Sequence, residues 1–167
     1  GLAWAVPLTL MSNERYGVFT DADEKQGAGR RVVGNRISSG WLGTVRIPLL
    51  AGRDFTSDDR AGAPKVAIVN EAFARRYFPG VDPIGRSIGG DVDGRRSRIV
   101  GVVADAVEER LTDAAEPVRY VALAQMPWID DAQSIVLRGA PGAAETSLLE
   151  PARRTIARVA PVAAVQQ

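Results

Sequence analysis

The stretch KVAIVNEAFARRYFPG, Lys65 to Gly80, constrains the fold more than any other passage of this chain. A short apolar run bounded by polar residues reads as a buried strand. Asn70 stands at its end, where the side-chain oxygen of a helix N-cap would accept from an orphan backbone amide. Phe73 and Tyr77 are four residues apart and share one helix face with Ala74, whereas Arg75 and Arg76 point elsewhere. Phe78, Pro79 and Gly80 then stop the helix. A strand running straight into a helix can also cradle an anion at the helix N-terminus. No glycine-rich loop accompanies this junction, and Glu71 would repel an anion there, so a structural cap is the preferred reading.

Around this unit the apolar runs are short. Leu2–Val6, Tyr16–Thr20, Arg31–Ser38, Val118–Leu123 and SIVLR (Ser134–Arg138) read as strands, with Gly34 marking a bulge. The sequence places Ser39 as the cap of a helical turn through Trp41 and Leu42. TSDDRAGAP is a turn-rich connection, and SIGGDVDGRRSRIVGVVAD reads as a β-hairpin about its Asp-Gly turn. VEERL reads as a turn of helix. GAAETSLLEPARRTIARVAP is helical by its apolar spacing, with Leu148, Ala152, Thr155 or Ile156, and Val159 on one face. Pro151 must start, kink or divide that helix. VAAVQ closes as a strand. The helices are too few and too unevenly placed for a doubly wound sheet, so the fold class is α+β. A change of texture predicts two lobes: one from residues 1–50 and 116–167, and a smaller one inserted from 51–115.

The residue inventory narrows the chemistry. At 167 residues the chain can form one domain or two small lobes. It holds no cysteine and no histidine, which removes the usual base of Ser-His-Asp systems and the ligands of ordinary zinc sites. A net charge of +1 selects neither nucleic acid nor an anionic membrane. No apolar run approaches the roughly 20 residues that span a bilayer. LAWAV reads as a strand already under way, which suggests a piece cut from a longer polypeptide.

The candidate sites are modest. Asp91-Val92-Asp93-Gly94 superficially resembles a calcium loop but lacks the further ligands and distant glutamate of an EF-hand. Asp54, Asp58 and Asp59 could form an acid/base pair, yet no nucleophile or oxyanion donor stands near them in sequence. Arg95, Arg96 and Arg98 form the densest basic cluster and could meet phosphate, lipid headgroups or a partner. A solvated hairpin tip is the plainer reading, and stacking aromatics for nucleic acid are missing. Met126, Trp128 and Ile129 could make an exposed contact patch or simply pack in the core.

Ile47 to Ile88, IPLLAGRDFTSDDRAGAPKVAIVNEAFARRYFPGVDPIGRSI, carries a family likeness. Its segments IPLL, GRDF, NEAFARRYFP and DPIG resemble the periplasmic core domain of MacB-type (MacB/FtsX-like) ABC transporter permeases. RIVGVVADA, PVRYVALAQ and RRTIARVAPVAAV resemble the following strands and closing helix, so the likeness covers nearly the whole chain. Trp41 and Thr44-Val45-Arg46 depart from the usual pattern, and the first thirty residues match only loosely. The resemblance implies a two-lobed body, with a porter-like lobe and an inserted sabre-like lobe. It implies a place between the first two of four transmembrane helices, on the periplasmic side of the bacterial inner membrane.

It further implies a noncatalytic role. ATP would bind a separate nucleotide-binding domain or subunit, with no cofactor here, and its hydrolysis would drive motion passed on to substrate efflux or to partner proteins. The implied partners are the permease's own transmembrane helices, a second permease copy, a cytoplasmic ATPase and, in some relatives, a membrane-fusion adaptor. A ligand-binding sensor domain of an orphan permease is the alternative role. An acid/base hydrolase built on the aspartates is the third.

Overall fold

The computed structural model describes residues 2–3, 14–20, 30–90, 95–106, 115–126, 134–139, 141 and 146–159. Among these, nine strands form one sheet: β1 (Leu2–Ala3), β2 (Glu14–Val18), β3 (Arg30–Ile37), β4 (Leu49–Gly52), β5 (Val66–Asn70), β6 (Ser87–Ile88), β7 (Ser97–Val103), β8 (Val118–Ala122) and β9 (Ser134–Ile135). The order is β4–β7–β5–β8–β3–β1–β9, with β2 beside β3 and β6 beside β7. β3 runs parallel to β8 and β5 parallel to β7, while the other pairings are antiparallel. The described residues also hold three α-helices: α1 (Trp41–Val45), α2 (Glu71–Tyr77) and α3 (Thr146–Val159). The result is an α+β fold.

β5 and β8 are buried along their whole length, as central strands covered on both faces must be. Side chains alternate across the strand, so Val66 and Ile68 enter one apolar cluster while Ala67 and Val69 enter the other. The first cluster gathers Trp41 and Leu42 of α1 with Ile37, Phe55, Val103 and Tyr120. The Trp41 and Tyr120 rings lie 6.1 Å apart there. The second gathers Phe73 of α2 with Val18, Val32, Ile88 and Ile99.

One contact changes the shape of the sheet. Phe19 and Gly89 exchange backbone bonds, with Gly89 N–H donating to the Phe19 carbonyl at 2.8 Å. That bridge returns the path β6–β7–β5–β8–β3–β2 to β6 and closes it into a ring of pairings. Arg119 belongs to this side of the sheet, because its register neighbours are Gly34 and Val69. It is buried, and loss of water lowers its guanidinium to about 10, so it stays charged at neutral pH.

Several expectations differ from what is seen. α1 is preceded by Gly40 at φ 75° with no side-chain cap, not by Ser39. The Gly40 N–H instead meets Asp54 Oδ2 at 3.3 Å, a partner fourteen residues away. Gly34 keeps regular register with both neighbours, and the register shifts fall between Leu49 and Ala51 and between Ala67 and Ile68. Pro151 lies inside α3, which continues through it, and Leu148, Ala152 and Ile156 are half-buried whereas Thr155 is exposed. VEERL and VAAVQ lie outside the described residues.

By residue proximity the chain forms two compact units, Gly1–Val136 and Leu137–Gln167. Within the first unit, the β5–β8 pairing joins strands from 51–115 to those from 1–50 and 116–126 in one sheet.

Candidate functional site

The strand–helix junction at Asn70 is fully committed to structure. Asn70 Oδ1 accepts from Phe73 N–H at 3.0 Å, which is the N-cap bond of α2. The same oxygen accepts from Val118 N–H at 2.8 Å, and Nδ2 donates to the Glu116 carbonyl at 2.8 Å. The helix N-terminus does hold an anion, and it is the chain's own. Asp105 Oδ1 accepts from Ala72 N–H at 2.8 Å, and Oδ2 pairs with Arg75 at 2.7 Å. A carboxylate placed there meets the positive end of the helix dipole. Sequence reading missed Asp105 because it arrives from just beyond β7, thirty-three residues along the chain. The Phe73 and Tyr77 rings stack 4.4 Å apart on the predicted face.

Two of the three aspartates after β4 are likewise occupied. Asp59 is buried and takes a bidentate pair from Arg53, at 2.7 and 2.9 Å, plus the Thr56 N–H at 2.8 Å. The Arg53 guanidinium, and then the Thr56 amide, hold its carboxyl below the usual value of 3.8 despite burial. Asp54 accepts from Phe55 N–H and Gly40 N–H, and Asp58 is exposed. Beside this loop lies an open cleft of about 250 Å³. It sits where parallel β3 and β8 end, and Ile37, Phe55 and Leu123 line it with Ser39, Thr56 and Ser57.

The pair on Asp59 sets a pH dependence. Its folded pKa is depressed, so the stabilisation is present above 3.8 and is lost as pH falls through the lower folded value. Asp59→Asn is expected to remove about 1–2 kcal/mol at pH 7, the low end reflecting a half-exposed Arg53. Urea unfolding from pH 7 to pH 2 should show wild type and variant converging at the acid end. Parallel curves would disprove the assignment.

Arg95 and Arg98 are exposed, while Arg96 is partly buried and donates to the Ser87 carbonyl at 3.1 Å. β6 and β7 form the predicted hairpin, and its turn at 91–94 lies outside the described residues. Met126 is only 7% exposed, so its side chain packs inward rather than presenting a surface. Trp128 and Ile129 lie outside the described residues. Among the described residues no group of three or more acidic side chains could hold a metal ion. Nor, among them, is any helix long and apolar enough to cross a membrane.

This sheet, with its few short helices, is the fold of the extracytoplasmic domains of ABC-type permeases. The periplasmic region of MacB from Actinobacillus actinomycetemcomitans superposes with a TM-score of 0.64 at 15% identity, over 95% of this chain and 66% of that one. A permease-protein domain from Porphyromonas gingivalis gives 0.56 at 18% identity, over 87% and 66%. The extracellular domain of the noncanonic ABC-type transporter YknZ from Gram-positive bacteria gives 0.50 at 16%, over 73% and 54%. This chain thus spans less than two thirds of each of those three structures. None of the curated proteins matches it. Residues 3–166 match the family described as the MacB-like periplasmic core domain, and the chain belongs to that family. It is the periplasmic or extracytoplasmic domain of a MacB-like ABC transporter permease.

Proposed function

We propose that this domain is a noncatalytic moving part, which passes ATP-driven motion from the membrane helices of its permease to substrate efflux or to partner proteins. ATP is bound by a separate nucleotide-binding domain or subunit, and a second permease copy completes the working pair. The observation that carries the reading is the family match over nearly the whole chain. The fate of two of the three candidate acid/base groups supports it. Asp59 pairs with Arg53 and accepts from the Thr56 amide, and Asp54 accepts from two backbone amides. A general acid or base must instead reach a substrate proton.

The test uses the parent permease with its ATPase in membrane vesicles. Replacing this domain by a short flexible linker should abolish export or partner activation while ATP turnover continues. Undiminished export without the domain would overturn the reading.

A further inference from the structure

The β5–β8 seam is where strands from 51–115 meet those from 116–126, and both of its ends carry a buried carboxamide. The two strands pair antiparallel, Ala67 with Val121, Ile68 with Tyr120 and Val69 with Arg119. At the carboxyl end of β5, Asn70 grips Glu116 and Val118 just before β8, through the two bonds described above. At the amino end, Gln125 grips from the far side of β8. Its Oε1 accepts from Val66 N–H at 3.1 Å and its Nε2 donates to the Pro64 carbonyl at 2.8 Å. Lys65 Nζ adds a bond to the Gln125 carbonyl at 2.9 Å. Asn70 is 1% exposed and Gln125 is 4% exposed.

Each carboxamide therefore offers a donor and an acceptor to the main chain, and the Val66, Phe73 and Val118 amides that they satisfy are buried. Opening the seam would strand several buried polar groups at once, which is the costly direction for any hydrogen bond. Neither carboxamide titrates, so the clamp holds at any pH the fold survives. A hinge needs groups that can turn to water, and the buried Val66 and Val118 amides cannot do so while the fold is intact.

We propose that the β5–β8 seam is a rigid force-transmitting joint, clamped at both ends by Asn70 and Gln125, so that motion imposed on residues 116–126 reaches residues 64–73 undamped. The mechanical part of this inference rests on the function proposed above, whereas the rigidity of the seam does not.

Native-state hydrogen exchange on the purified chain tests the rigidity. The amides of Ile68 and Tyr120, which face each other across the seam, should exchange only through global unfolding, as slowly as the slowest amides in the chain. Exchange through a separate local opening, tenfold or more faster, would overturn the proposal. The variants Asn70→Ser and Gln125→Met are paired as a double variant. Serine still caps α2 but is too short to reach Glu116, and methionine keeps the volume of glutamine without its bonds. The double variant should exchange its seam amides about 100-fold faster, roughly tenfold for each clamp removed.

In the parent permease it should also lose export per ATP hydrolysed. Normal coupling despite a loosened seam would refute the joint as a transmission element. A permease that exports nothing in any form would count against the proposed function alone, and the exchange result would still decide the seam.

Discussion

Gly90→Ala is expected to destabilise the chain by about 3 kcal/mol or more, or to prevent folding. Gly90 has φ 98°, a conformation that residues with a Cβ rarely adopt. A Cβ there would overlap the carbonyl of Gly17, with its oxygen 1.9 Å away. Both atoms belong to backbone that the Phe19–Gly89 bridge holds together, so neither can move without opening the ring. The loss should appear as a fall in melting temperature of roughly 6–12 °C, at about 2–4 °C per kcal/mol for a chain of this size. Gly52→Ala, within the AGRDF segment, should behave alike, because φ is 75° and the Val100 carbonyl oxygen would lie 2.1 Å away. Gly43→Ala is the control. It is helical with nothing within 4 Å, so stability should hold or rise slightly. Equal effects at all three positions would contradict the account of close approach.

The second large effect falls on Asn70. Asn70→Ala removes the α2 cap and leaves the Phe73 and Val118 amides and the Glu116 carbonyl without that partner. Lost capping costs about 1 kcal/mol, and the stranded, buried Val118 amide brings the total to about 3 kcal/mol, since the carbonyl of exposed Glu116 can turn to water. Denaturant unfolding checks this directly. A cost near 1 kcal/mol would mean that Asn70 only caps its helix. A cost near 3 kcal/mol would mean that it also ties β5 to β8.

What the sequence made legible was local. The strand, cap and aromatic pair between Val66 and Tyr77 each depend on neighbours within four residues, and they appear as predicted. The hairpin of β6 and β7 and the helix around Pro151 were legible for the same reason. The misses share a different cause. Ser39 was favoured as a cap from propensity, but the Gly40 amide is met by Asp54, which no local pattern announces. Gly34 looked like a bulge because glycine weakens strands, yet bulge position is set by how distant strands must bend to pair. The burial of Arg119 within PVRYVALAQ has no local signal. The bridge from Phe19 to Gly89 closes the ring beside it and removes it from water. Asp105 and Gln125 were silent because their partners lie thirty to sixty residues away. The family likeness carried the functional class, and no single side chain did.

The central claim is that this domain moves with the ATP cycle of its permease. This chain contains no native cysteine, so Leu50→Cys introduces a single exposed labelling position on β4. With one spin label on each of two copies, pulsed electron paramagnetic resonance reads the distance between them in the nucleotide-free and ATP-trapped permease. The account predicts two distinct distance distributions that interchange as ATP is bound and hydrolysed. Identical distributions in both states, with ATP turnover intact, would contradict it.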